Sequence, residues 1–251
     1  MKLSGKPDFK DSLIRLALKN YSPLDYSPQL IQLLAVLYPE NDFHGFNKQD
    51  LHRLINDAVC QGYRGEQVLK YALFKQVQKK NMVAAFEMRV NKSRIDFLTI
   101  NGHTTGYEIK SALDNLDKLA KQSADYQKVF EFNNVVIDKC HLKSCLAIVP
   151  EDFGIITVAG TRKSIYRTAV LNNNIDPAAQ LSLMTKRELD VYFDQAALND
   201  AEQVNKNFKK ALKARYQERW SFVVAHSVSI LPIDIQFFFN TNIDPKYIYP
   251  S

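Results

Sequence analysis

Three residues are spaced so that they could act together on a phosphate. Asp96 lies in an extended run, Arg94 to Ile100, while Glu108 and Lys110 lie two apart in the next, Tyr107 to Ser111. Side chains alternate along a strand, so Glu108 and Lys110 share a face, with Tyr107 and Ile109 on the other. Asn101-Gly102 tolerates positive φ and predicts a tight reversal between the runs, which sets Asp96 opposite residue 107, one position from Glu108. Two carboxylates brought together on a half-buried sheet repel each other, and a hard divalent cation relieves this most simply. Mg2+ suits oxygen ligands, with Mn2+ as its substitute. Such an ion polarises a phosphoryl oxygen, lowers the pKa of bound water and steadies the leaving oxygen. Lys110 would orient or deprotonate the attacking water and offset the charge that grows on phosphorus. The plain alternative is an ion-pair network on an exposed sheet face, since charged residues on strands usually face solvent.

The surrounding pattern supplies elements to hold these residues. Glu66 to Lys79 reads as a helix, with Val68, Leu69, Ala72, Leu73 and Val77 on or near one face, and Met82 to Val90 reads as a strand. After the hairpin come a helix over Leu113 to Phe130, a short strand near Val135 to Ile137, a helix from about His141 to Ile148 and a strand near Gly154 to Val158. The order α-β-β-β-α-β-α-β describes an α/β core. It occupies residues 63–160.

Residues 1–62 read as a helical lobe: Ser12 to Lys19, Pro28 to Tyr38, and Asn47 to Cys60 with Asn47 as N-cap. Short amphipathic helices of this kind are more often packing than a helix-turn-helix reader. Residues 161–251 form a C-terminal helical and β extension. Thr185 to Leu198 and Ala201 to Trp220 are expected helices, and Phe222 to Phe239 reads as β-rich or mixed. Lys206, Lys209, Lys210, Lys213, Arg215 and Arg219 on the second helix read as a solvated basic face. Arg89, Lys92 and Arg94 precede Asp96, and Lys118 and Lys121 follow Lys110; these charges could seat phosphates or simply balance Asp114, Asp117 and Asp125.

Taken together, Arg94-Ile-Asp96, Gly106-Tyr-Glu108-Ile-Lys110-Ser111 and Gln122-Ser-Ala-Asp-Tyr126 resemble the PD-(D/E)XK nuclease superfamily of restriction endonucleases, Holliday-junction resolvases and RecB-like nucleases. The resemblance covers roughly residues 62 to 160 and is nearest to a small bacterial family of uncharacterised predicted nucleases. Ile95 stands where many members have proline. The resemblance implies a restriction-endonuclease-like core with a central mixed four-stranded sheet flanked by helices. It makes Asp96 and Glu108 metal ligands, Ile109 a backbone-carbonyl ligand and Lys110 the water-positioning group. Gln122 and Tyr126, at i and i+4, look like a Q-x-x-x-Y element that contacts substrate phosphate or holds the site. Glu66, after Arg64-Gly65 at a helix start, looks like the auxiliary metal-binding acid, in competition with Glu87 on the preceding strand. The implied activity is Mg2+-dependent hydrolysis of DNA to 5′-phosphate ends, in a phage-defence or mobile-element setting. RNA is a further candidate substrate, and paired cuts would favour a homodimer. A catalytically silent nucleic-acid-binding or protein-interaction module is the alternative.

Composition agrees with this and narrows the rest. The 251 residues are 46% hydrophobic and 24% charged with a net charge of +6, a mild basic excess compatible with a polyanionic partner. No apolar run approaches the ~20 residues that cross a bilayer, so a soluble, cytoplasmic protein with no membrane partner is expected. Cys60, Cys140 and Cys145 are too few for a disulfide framework and read as buried thiols rather than zinc ligands. Nucleotide-binding glycine loops, H-E-x-x-H and G-x-S-x-G are all missing.

Overall fold

Hydrophobic spacing changes character near residue 80, from helical to alternating, and the fold follows it. A computed structural model describes residues 11–62, 65–76, 81–159, 162–195 and 197–250. Arg64 and the end of the helix expected over Val77 to Lys79 lie outside the described residues. The chain divides into two units, one holding residues up to Ala72 and from Phe222 onward, the other Leu73–Ser221.

The first unit is helical. α1 (Asp11–Asn20), α2 (Ser27–Leu37) and α3 (Lys48–Gly62) bury Ile14, Leu30, Leu34, Leu51, Ile55 and Val59 against one another. Asn47 caps α3, its side chain accepting the amide of Asp50 at 2.8 Å. α4 (Glu66–Gln76) starts in this unit, and α10 (Ile235–Thr241) and α11 (Pro245–Ile248) complete it. The expectation of β structure over Phe222 to Phe239 is corrected: these residues are the end of α9, a 3-10 turn at Pro232–Asp234, and α10. Valine, isoleucine and phenylalanine are frequent in that stretch, and their strand preference yields to packing, with Phe238 and Phe239 fully buried.

The second unit is built on a six-stranded mixed sheet in the order β1 (Val83–Val90), β2 (Ser93–Asn101), β3 (His103–Lys110), β4 (Phe132–Asp138), β5 (Gly154–Ala159) and β6 (Arg162–Arg167). β1, β2 and β3 are antiparallel neighbours, β3, β4 and β5 run parallel, and β6 returns antiparallel to β5. The four-stranded expectation is therefore corrected to six. β5 joins β4 as a fifth strand, and β6 escaped the pattern because Arg-Lys-Ser-Ile-Tyr-Arg alternates poorly, as suits an edge strand. Central β4, between parallel neighbours, reads as an unbroken apolar run, Val135-Val136-Ile137, because it is buried on both faces of the sheet.

Helices connect and cover the strands. α5 (Leu119–Gln127) links β3 to β4, α6 (Leu142–Ile148) links β4 to β5, and α7 (Pro177–Ser182), α8 (Lys186–Tyr192) and α9 (Ala201–Ala225) follow β6. α5 begins six residues later than Leu113, because Asp114 accepts both the amide and the hydroxyl of Ser111 and holds that stretch in a turn. α8 opens on a capping box between Thr185 and Glu188 and stops at Tyr192, short of the expected Leu198. Along α9, Val204, Phe208, Leu212, Tyr216 and Trp220 are buried, as their spacing predicts.

The solvated basic face of α9 is only partly so. Lys206, Lys210 and Arg219 are exposed, whereas Lys209 pairs with buried Glu131 at 2.8 Å and Arg215 pairs with Glu188. Among the thiols only Cys145 is buried; Cys60 and Cys140 are exposed.

Candidate active site

The reversal between β2 and β3 sets the register of the site. Asn101 pairs with His103 across Gly102, whose φ of +79° suits glycine, so the ladder turns about Gly102 alone. Phe97, and not Asp96, faces Tyr107; one step further, Asp96 is level with Glu108. The expected register, with Asp96 opposite residue 107, was short by one because it placed two residues in the turn. The ladder stops at that step, and the Asp96 carboxylate takes over as acceptor for the amide of Ile109 at 2.6 Å.

A second irregularity lies on the other side of Asp96. The β1–β2 pairs Phe86 with Phe97 and Met88 with Ile95 set Glu87 level with Asp96. Glu87 has φ +54° within a strand, a conformation costing a non-glycine residue about 1–3 kcal/mol that surrounding structure must hold in place. Carboxylate oxygens of Glu87 and Asp96 lie within 4.8 Å of each other. Glu87, Asp96 and Glu108 thus form a row of acids across β1, β2 and β3.

Glu108 is the best-held of the three. Only 2% exposed, it receives Lys110 Nζ and Gln122 Nε2 on Oε1, both at 2.5 Å, and the Tyr126 hydroxyl on Oε2 at 2.7 Å. The i, i+4 spacing of Gln122 and Tyr126 on α5 delivers both donors to one carboxylate, so these two residues fix the Glu108 side chain. The strand alternation expected for Glu108 and Lys110 is observed in their ion pair.

Burial pushes the Glu108 carboxyl above its ordinary range, against the pull of Lys110, Tyr126 and Gln122. Burial also weighs on the Lys110 ammonium, but Glu108, with Asp96 and Asp114, holds its pKa above the usual lysine value. Burial, then the negative charge of Glu108 and Asp96, raises Tyr126 far above the ordinary phenol, so its hydroxyl acts as a donor.

Ile109 lies within the parallel ladder, level with Val136 of β4. Glu66 opens α4 in the helical unit and pairs with Lys70 one turn on. Asp114, read in the sequence only as a charge balancing nearby basic residues, lies close enough to Lys110 to raise its pKa; the Ser-x-x-Asp spacing from Ser111 is the local turn signal that places it there.

The donor set fits a hard divalent cation: oxygens of paired carboxylates, with neither thiolate nor imidazole among Glu87, Asp96 and Glu108. Three donors occupy Glu108, whereas Asp96 accepts the Ile109 amide through one oxygen, Oδ2.

A family model described as Bacteriophage P4 protein cII matches residues 61–238, more than half of the chain. The chain belongs to that family. The family region contains all six strands and α5 to α9. No curated protein matches the chain. Among solved structures, a Silicibacter pomeroyi protein of unknown function is 18% identical, with an alignment covering 57% of this chain and 93% of that one at a TM-score of 0.34. Among the described residues, no helix is long and apolar enough to cross a membrane.

Proposed function

We propose that this member of the P4 cII family is a metal-dependent nuclease that hydrolyses phosphodiester bonds of DNA at Asp96, Glu108 and Lys110. The observation that carries the reading is the register of β2 and β3, which sets Asp96 level with Glu108 while Lys110 reaches the same Glu108 carboxylate at 2.5 Å. The PD-(D/E)XK resemblance supplies the reaction type.

Asp96 and Glu87 would hold Mg2+, or Mn2+ in its place, with Glu108 and the Ile109 carbonyl as the further ligands of the sheet that the resemblance names. When bound, the ion supplies Lewis acidity toward a phosphoryl oxygen and a more acidic water. Lys110 positions the attacking water and offsets the charge that develops on the phosphate. Gln122 and Tyr126 keep Glu108 in a single orientation, so that little reorganisation is needed as charge moves.

A catalytically silent nucleic-acid-binding module is the second reading. It is favoured by the completeness with which Lys110, Gln122 and Tyr126 already satisfy Glu108. Incubation of the protein with plasmid, single-stranded DNA and RNA in Mg2+, Mn2+ or EDTA separates the two. Metal-dependent shortening of DNA supports the nuclease; intact substrates in every metal, with the protein folded, support the silent module.

A further inference from the structure

Beside the acids, the β1–β2 hairpin carries a charge arrangement that the strand pairing alone disfavours. Arg89 and Arg94 face each other directly across the two strands, and like charges in that relation repel. Arg94 is 64% exposed and leans on Glu87 at 3.5 Å; Arg89 is exposed and has no ion pair among the described residues. Asn91, at the hairpin turn, has φ +53°.

Next to this pair is an open cavity of about 470 Å³, lined on the hairpin side by Met88, Arg89 and Asn91. Its other wall is formed by Ser182 and Leu183 at the end of α7 and by Arg215 and Tyr216 of α9. Arg215 is fixed there: Nε donates to Glu188 at 2.6 Å, and Nη2 donates both to the second Glu188 oxygen and to the Leu183 carbonyl at 3.0 Å, which leaves Nη1 to turn to the cavity. A guanidinium held on one wall beside the Tyr216 ring and hydroxyl, and an exposed arginine with the Asn91 amide on the other, form a set of donors. That set suits a phosphate oxygen better than it suits a protein side chain.

We propose that this cavity is a phosphate seat for a nucleic-acid strand, in which Arg89 and Arg215 hold a phosphodiester near the one presented to Asp96. Arg89 is two residues from Glu87, about 7 Å along a strand, and Glu87 is level with Asp96. Successive phosphates of a strand advance by about 3.4 Å along a duplex axis, so the seat would take a phosphate one or two nucleotides from the reacting bond. The substrate would then be a strand of several nucleotides rather than a mononucleotide. The position of the reacting bond rests on the nuclease reading; the phosphate seat does not.

The test is fluorescence anisotropy with a labelled twelve-nucleotide single-stranded DNA in EDTA, over a series of NaCl concentrations. Native protein, Arg89→Ala and Arg89→Lys would be compared. The expected result is a loss of affinity in Arg89→Ala of about five- to tenfold, with the slope of log affinity against log salt reduced by about one. Arg89→Lys should recover the slope. Native-like affinity and slope in Arg89→Ala would overturn the proposal, as would failure of the native protein to bind. An arginine-dependent binder that cuts nothing in Mg2+ would keep the seat and remove only the nuclease reading.

Discussion

The Tyr126 hydroxyl stands 2.7 Å from Glu108 Oε2 and 2.8 Å from the carbonyl of Arg94, so one side chain of α5 bridges β2 and β3 where their ladder ends. It has a single proton to share between two acceptors. Tyr126→Phe removes that proton from a fully buried position and leaves both oxygens short of a donor. A loss of roughly 1–3 kcal/mol in stability is expected, read from urea unfolding, with a parallel fall in metal-dependent cleavage.

Lys110→Ala leaves the Glu108 carboxylate buried without its cation, while Gln122 and Tyr126 still hold it. On the proposed nuclease role of Lys110, cleavage should fall by about 10²–10³-fold, the effect of losing a preorganised charge at a reacting phosphate. A gel assay of plasmid nicking over a time course would measure this.

Gly102→Ala should cost about 1–2 kcal/mol, from the positive φ alone, since a Cβ there would meet nothing within 4 Å. Gly102→Asn should cost less, because asparagine tolerates the left-handed region. Thermal melts of the two variants would rank them. Equal melting temperatures would contradict the single-residue reversal that sets Asp96 level with Glu108.

In the helical unit, Tyr21 and Tyr249 donate to the buried carboxylate of Asp234, and Tyr21 also meets His52 Nδ1 at 2.9 Å. Burial raises Asp234 to about 6 and lowers His52 to about 4. Asp234 therefore contributes stability that is complete below its ordinary pKa near 4 and is lost as pH rises through about 6, on the order of 3 kcal/mol. His52 contributes in the opposite sense, with stability present above about 6.5 and lost as pH falls through about 4. The two terms oppose each other over one window, so native stability should vary little across it. Asp234→Asn removes one term, and its urea midpoint by circular dichroism should rise steadily from pH 4.5 to 6.5.

How much of this was legible in sequence depends on how local each signal is. β1, β2 and the helices α1 to α3 follow directly from apolar spacing, and Asn47 caps α3 as its residue type predicts. Asp96, Glu108 and Lys110 could be singled out from strand alternation, Gln122 and Tyr126 from the resemblance alone, and the five gather in the structure. The one-residue register of the hairpin was not legible, since Asn101-Gly102 suits a two-residue turn equally well. Nor was β6, whose polar edge has no apolar face to announce it, nor the left-handed Glu87, whose strain is imposed by the strands around it. Glu131, which binds Lys209 of α9 and the amide of Thr104 in β3, joins residues too far apart in the chain for any pattern to link.

The most direct test of the site is single-turnover cleavage of labelled DNA in Mg2+ by native protein and by Asp96→Asn, with melting temperatures of both recorded. Asparagine can still accept the Ile109 amide but brings no charge to the cation. If the acids hold the catalytic cation, cleavage falls by at least about 10²-fold in Asp96→Asn at a melting temperature close to native. Undiminished cleavage by folded Asp96→Asn would contradict the assignment of the reaction to this row of acids.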